Sequence, residues 1–232
     1  MNCMSVCSSR GRPELCQRMI ESWLAARTDD TMSAMFVYVA KNDPRIDEYE
    51  RMLKPLESYY FSYEFGPPRF MCHVLNYAFT VKWPDMKYCH EVNDDHIFKD
   101  HDWDTKMQKM IETNGGWGMV SGEGREHLPT SVMMSGNIIR TLGYVFPGEF
   151  QHHSCDLYIE DLGKACGLLL YPDKTLIEHM HFAWGKAKHD KVYEWVYSKE
   201  QQAIGLDAYE KWKATRRNED INKIKEARKT HD

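Results

Sequence analysis

The first hundred residues alternate short apolar runs with stretches of helical period, and that order limits the chain to few folds. Residues 4–8 (MSVCS) are short and partly apolar. Residues 13–26 then carry Leu15, Met19, Ile20, Trp23 and Leu24 at helical spacing. Pro13 sits in the first turn, where its missing N–H is not needed. Residues 35–40 (MFVYVA) are β-branched and aromatic, the composition of a strand. Residues 46–53 read as a short helix and residues 59–65 as a third strand. Phe70, Met71, Val74, Leu75, Ala78 and Phe79 predict a helix over 70–81, and residues 88–92 a fourth strand. A β-α-β-α-β-α-β order predicts a mostly parallel sheet flanked by helices.

In an open α/β sheet, ligands bind at the carboxyl ends of the strands. Three of these strands end in polar residues. The first runs into Ser8, Ser9, Arg10, Gly11 and Arg12, a loop that offers N–H groups and two guanidinium groups to a phosphate or a base. The second ends at Asn42 and Asp43, which can hydrogen-bond a nucleobase or ribose. The fourth delivers Asn93, Asp94 and Asp95. Two carboxylates beside an Asn and a His suit Mg²⁺ or Mn²⁺ carrying a phosphate better than zinc. Each stretch also reads as a plain turn, since Ser, Asn, Asp and Gly are turn residues.

The second half continues with a helix over 102–112 and a strand over 117–121. A charged loop over 122–129 holds Arg125 and His127, and precedes a strand over 132–136 and a helix over 137–142. A helix over 159–166 has Glu160 and Asp161 in its first turn, where the helix dipole favours acids. Strands follow over 168–171 and 175–181, the latter ending Glu178-His179-Met180-His181. Alternate residues of a strand face opposite ways, so only one of His179 and His181 faces a given metal unless the strand ends between them. Beyond Ala183 the chain turns polar, with helices over 207–212 and 221–229. Arg216, Arg217, Lys223, Lys225, Arg228 and Lys229 make it locally basic, which reads as a solvated face or as a contact to a polyanion.

The 232 residues suffice for one good-sized core, and a net charge of −5 gives no global basic field for nucleic acid. Seven Cys without Cys-x-x-Cys spacing indicate neither a zinc knuckle nor a disulfide framework, but buried thiols in a reducing compartment. The first residues lack the apolar core of a signal peptide, and no apolar run is long enough for a bilayer span, so a cytoplasmic protein is expected.

The ordered set of these motifs resembles the glycosyltransferases of the GT-A fold. It comprises Ser8-Ser9-Arg10-x-Arg12-Pro13, Lys41-Asn42-Asp43, Asn76, Asn93-Asp94-Asp95, Glu160-Asp161 and Glu178-His179-Met180-His181. The segment IEHMHFAWGKAKHDKVYEW is similar to short single-domain members of bacteria and phages. The resemblance covers residues 4–197, with 198–232 as a charged helical extension. It implies a GT-A-like, Rossmann-like domain that moves a sugar from a nucleoside-diphosphate sugar, with UDP as donor nucleotide, to a hydroxyl acceptor. It implies that Ser8, Ser9, Arg10, Arg12, Asn42, Asp43, Asn76 and Asp94 contact the donor. Asp95 with His179 or His181 would hold Mn²⁺ or Mg²⁺, and Asp161, or Glu160 beside it, would act as base. Asn93 stands where the family's motif has its first Asp, which leaves Asp95 and a His to hold the ion. A hydroxymethylpyrimidine of phage DNA and a cell-surface glycan precursor are the acceptors considered. A sugar-phosphate nucleotidylyltransferase and a non-catalytic nucleotide-binding module are the rival classes.

Overall fold

A computed structural model describes residues 2–28, 33–125 and 128–230. His127 lies outside these described residues. Strands β1 (Cys3–Ser9), β2 (Ser33–Ala40), β3 (Phe61–Gly66) and β4 (Tyr88–Val92) run parallel, with β1 between β2 and β4. Helix α1 (Pro13–Ala26) links β1 to β2, and α2 (Ile46–Leu53) links β2 to β3. Helix α3 (Met71–Asn76) leads into a π-helical stretch, Tyr77–Lys82, before β4. The helix expected over 70–81 is therefore present with a widened second half.

After β4 come β5 (His96–Phe98), α4 (Trp103–Thr113), β6 (Met119–Val120), β7 (Met133–Ser135) and α5 (Gly136–Leu142). Then follow α6 (Cys155–Cys166), β8 (Leu169–Leu170), β9 (Ile177–His179), α7 (Lys191–Val196), α8 (Lys199–Thr215) and α9 (Arg217–Lys229). The main sheet has the order β3-β2-β1-β4-β7-β6-β8, with β7 antiparallel to both neighbours. Strands β5 and β9 form a separate antiparallel pair. This is the mostly parallel, helix-flanked sheet that the sequence predicts. Among the described residues, no helix is long and apolar enough to cross a membrane.

Strand alternation sorts side chains into two cores. In β2, Phe36 and Tyr38 face one side while Met35, Val37 and Val39 face the other. The second side is covered by Met19, Ile20 and Trp23 of α1, Tyr49 and Leu53 of α2, and Trp103, Met107 and Ile111 of α4. The first side is covered by α3, α5, α6 and the tail. Ala208 and Trp212 of α8 and Ile221 and Ile224 of α9 are buried in it. Asp220 accepts hydrogen bonds from Trp212 Nε1 (2.7 Å) and Tyr144 OH (2.6 Å), and Arg216 pairs with Glu149. The tail's exposed surface is charged, but one stripe of it completes the core.

His90 of β4 is fully buried between two hydroxyls, Ser5 Oγ (2.8 Å) and Ser131 Oγ (2.9 Å), and packs against Trp103. Burial holds its pKa down to about 3. The unfolded chain takes up a proton below about pH 6.5 that the folded chain refuses, so stability falls as pH drops from there towards the folded value. The contribution is about 1.4 kcal/mol per pH unit across that window. Urea unfolding between pH 7 and pH 4.5 is expected to show a shallower loss of stability in His90→Asn than in the wild type, by about one proton.

Candidate active site

Two loops at the carboxyl edge of the sheet are tied together by one side chain. Gly11, at φ +67°, turns the chain after β1. Its N–H donates to Asp43 Oδ2 (2.8 Å), while Asp43 Oδ1 accepts from Arg45 N (2.8 Å) in the loop after β2. Arg10 Nη1 reaches Asn42 Oδ1 across the same gap (3.0 Å). Tyr49 OH lies 2.6 Å from Ser9 Oγ and accepts from Arg12 N (2.9 Å). A left-handed glycine is needed here because an L side chain is strained at that φ.

β4 carries the two carboxylates out of the sheet. Asp94 accepts from Ser9 Oγ (2.7 Å) and lies 3.4 Å from Arg12 Nη1. Burial still pushes its carboxyl up, with Arg12 acting against that and Asp95 adding to it. Asp95 is held the other way. Burial opposes its charge, but His179 Nε2 (3.2 Å) and the Tyr193 hydroxyl (2.7 Å) meet Oδ2 and hold the group well below the usual carboxylate range. Its Oδ1 is buried with no hydrogen-bond partner among the described residues. A buried charged oxygen left bare is costly, and a cation is the partner that would relieve it.

Asp95, His96 and His179 each present a ligand atom within 4.8 Å of the others. The pairing of β5 with β9 sets His96 opposite His179 and explains the approach. His96 already has both ring nitrogens engaged, Nδ1 by Asn93 N–H (2.9 Å) and Nε2 with Thr130 Oγ1 (3.0 Å). Burial and the neighbouring His179 hold its pKa far down, so it stays neutral. β9 ends at His179, and Met180 N then donates to Asp95 O (2.8 Å). The strand thus stops between the two histidines, and His181 comes to the same cleft, its ring 5.0 Å from that of His179. His181 also has both ring nitrogens engaged, Nδ1 by Ala183 N–H (3.2 Å) and Nε2 with Tyr197 OH (2.8 Å), so Asp95, His96 and His179 are the described group whose ligand atoms lie close enough together for an ion.

The cleft has two chambers joined along Met71, Asn93, His152, His179, His181 and Tyr197. The larger, about 1000 Å³, is lined by Ser8, Arg10, Gly11, Arg12, Asn42, Asp94 and Asp95, with Arg45, Arg69 and Lys191. Helix α7 closes over it. Asp190 at its N-cap receives Arg12 Nε and Nη2 (2.8 and 2.7 Å), and Arg12 stacks on the Tyr193 ring at 3.9 Å. The smaller, about 500 Å³, holds Glu91, Asp156, His152 and His153 together with an apolar wall. Gly205 lets α8 press against this wall, since a Cβ there would collide with His153.

The structure brings together Ser8, Ser9, Arg10, Arg12, Asn42, Asp43, Asp94, Asp95, His179 and His181. Three expected residues do not join them. Asn76 Nδ2 donates to Phe146 O (2.7 Å) and its Oδ1 accepts from Val145 N and Phe146 N, so it fastens a distant loop. α6 starts at Cys155, four residues earlier than expected, which moves Glu160 and Asp161 out of the first turn. Asp161 takes a two-pronged contact from Arg217 (2.9 and 2.6 Å) and one from Tyr209 OH (3.2 Å), and Glu160 pairs with Lys164 (2.6 Å). Neither lines the cleft. Asp156 holds the first-turn position and does line it. His96 stands out in the sequence only as the His beside the two carboxylates, and Glu91, Asp156, Asp190 and Tyr193 carry no mark as site residues there. The only sequence signal for Asp156 is an acid closely following His152-His153.

No family model matches the chain, and no curated protein matches it by sequence. Solved structures do match it in shape. A mannosyltransferase from Pyrobaculum calidifontis, solved with GDP-Man and Mn²⁺, superposes with a TM-score of 0.63 at 11% identity, over 97% of this chain and 73% of that one. Residues 1–349 of S. aureus TarS with UDP-GlcNAc give 0.54 at 11% identity, over 94% and 74%. A cytidylyltransferase from Leptospira borgpetersenii gives 0.55 at 12% identity, over 95% and 96%. The chain therefore has the GT-A-type fold of nucleotide-sugar glycosyltransferases. At such identities the fold is what is shared, and the activity has to be argued from this chain's own residues.

The clip at Asp43 is directly testable. Asp43→Ala leaves two N–H groups without their acceptor and is expected to lower unfolding free energy by about 1–3 kcal/mol. Asp43→Asn keeps one acceptor and should lose less. Urea denaturation of both variants against the wild type measures the difference.

Proposed function

We propose that the protein is a metal-dependent glycosyltransferase that moves a sugar from a nucleoside diphosphate to an acceptor hydroxyl. The observation that carries this is the bare buried Oδ1 of Asp95 beside His179, at the edge of a chamber lined by arginines. Arg10, Arg69 and Lys191 supply positive charge that a diphosphate needs, Arg12 would add to it on leaving Asp190, and the Gly11 loop lets backbone approach it. The mannosyltransferase solved with Mn²⁺ supports the choice of ion. Imidazole beside carboxylate also suits Mn²⁺ better than Mg²⁺. A divalent ion bound at Asp95 would offset the charge that develops on the leaving diphosphate.

We assign the base to Asp156 and not to the Glu160–Asp161 pair, whose carboxylates are held by Lys164 and Arg217. Asp156 opens α6, accepts from Leu157 N (2.9 Å) and lines the smaller chamber. Burial raises its pKa, which strengthens a base that must still be ionised at neutral pH. In a direct displacement the acceptor oxygen bonds the anomeric carbon as its proton passes to Asp156. The bond from that carbon to the phosphate oxygen breaks, and the nucleoside diphosphate leaves with the electron pair. Glu91, pushed up to about 7 by burial, is positioned to hydrogen-bond a sugar hydroxyl.

A second reading, nucleotidyl transfer, rests on the cytidylyltransferase match. Ser9-Arg10-Gly11-Arg12 is a poor Gly-rich nucleotidyl loop, so transfer of the sugar is preferred. A phage-DNA acceptor draws less support, because three of the six basic tail residues, Arg216, Arg217 and Lys223, are engaged by Glu149, Asp161 and Glu219, and the net charge of −5 adds no basic field.

Thermal unfolding with a panel of nucleoside diphosphates and nucleotide sugars, with and without Mn²⁺, tests the donor end. One nucleotide is expected to raise the melting temperature only with Mn²⁺, and Asp95→Asn to lose that rise. A flat panel on folded protein would contradict the reading. For the base, Asp156→Asn is expected to cut turnover about 10²–10⁴-fold while keeping Mn²⁺-dependent nucleotide binding. Asp161→Asn should instead lower the melting temperature and leave turnover within a few-fold.

A further inference from the structure

The two chambers differ in charge. Five cationic side chains, Arg10, Arg12, Arg45, Arg69 and Lys191, line the larger one. Among the described residues, no Lys or Arg lines the smaller one; its titratable side chains include the carboxyls Glu91 and Asp156 and four histidines, of which His179 has its pKa held up by Asp95. Its wall is apolar. Phe79, Val132, Met134, Val145, Phe146 and Ile159 all line it and all belong to the buried core on the α3–α6 side of the sheet. Leu128 and Trp184 also line it and stay 41% exposed each, which puts them at its mouth.

We propose, on the basis of the glycosyltransferase reading above, that this chamber binds the acceptor and that the acceptor is a neutral hydroxyl compound with an aromatic or alicyclic body. A phosphate or carboxylate reaching into the chamber's body would meet Glu91 and Asp156 with no Lys or Arg in the lining to offset it, at a cost in a poorly hydrated site. A sugar polymer would leave its hydroxyls unmatched along the apolar wall. A flat or ring-shaped apolar body fits a wall of Phe, Val, Met and Ile. A chamber of about 500 Å³ is within the range that encloses a small ligand. The polar groups gather where the two chambers meet: His152, His179, His181 and Asn93 belong to both. The acceptor hydroxyl points to that junction and its body points away, towards Ile159 and Val145.

The test uses 2-naphthol as the neutral aromatic probe, with glycerol 3-phosphate and free glucose as the anionic and polar probes. Saturation-transfer NMR on the full chain reads binding of each. Naphthol is expected to bind, and to bind at least ten-fold more weakly in Ile159→Phe and in Val145→Phe, two separate fillings of the chamber. Near-UV circular dichroism checks that each variant folds. Glycerol 3-phosphate and glucose are expected to give no saturable signal. Unchanged naphthol binding in both folded variants would overturn the proposal. So would saturable binding of glycerol 3-phosphate or glucose with none of naphthol, a comparison the wild type alone provides. No arm requires nucleotide or Mn²⁺, so a failure here is separate from a flat nucleotide panel, which would strike the glycosyltransferase reading itself.

Discussion

Two adjacent carboxylates leave the sheet at the end of β4 and are buried, and much of the cleft is arranged around that cost. A buried charge is tolerated only when it is paired and hydrogen-bonded. Asp94 is met by Ser9 and Arg12 from the loop after β1. Asp95 is met by His179 from β9 and Tyr193 from α7, nearly a hundred residues away in sequence. Those partners come from three separate stretches of chain, so the aspartates draw the end of β1 with its loop, the small β5–β9 pair and the covering helix to one point. The oxygen that remains bare, Asp95 Oδ1, gives this centre a capacity that a purely structural ion-pair network would lack.

The covering helix shows how the same residues hold the cleft shut. Arg12 faces Asp94 on one side and Asp190 on the other, with Tyr193 beneath its guanidinium. Trp195 of the same helix stacks on Phe70 at a ring separation of 6.2 Å. In the glycosyltransferase reading proposed above, a diphosphate in this chamber would compete with Asp94 and Asp190 for Arg12, while Tyr193 stays on Asp95 Oδ2. α7 is six residues long, and buried Tyr193 and Val196 together with these contacts seat it over the chamber.

Local pattern carried most of the fold and about half of the cleft. β1, β2 and β4 were legible because a period of two and β-branched composition mark a strand, and their polar ends follow from the parallel order. His96 showed only as a neighbour of the two carboxylates, and its approach to His179 was hidden because β5 is three residues long and gains its meaning only by pairing with β9. Asp156 was hidden because α6 begins at a left-handed Ser154, φ +63°, with no apolar residue ahead of it to signal a helix. Asp161 looked like a site residue in isolation, but Arg217 lies 56 positions further on and no local pattern announces that pairing. Asn76 misled for the same reason, its partners being the backbone at residues 145–146. The tail read as a solvated face because its buried stripe, Trp212, Ile221 and Ile224, is thin against a background of charge.

The central claim is that the bond broken lies between the sugar and the diphosphate. The most direct test is ³¹P NMR of the protein with Mn²⁺, an acceptor alcohol and the nucleotide sugar that it binds. The account predicts that, once the reaction is stopped and Mn²⁺ removed with EDTA, the two diphosphate resonances of the nucleotide sugar have given way to those of the free nucleoside diphosphate, and that they persist unchanged when Asp95 is replaced by Asn. Appearance of inorganic pyrophosphate from a nucleoside triphosphate and a sugar phosphate, with the nucleotide sugar left intact in the first mixture, would contradict it and assign the cleft to nucleotidyl transfer.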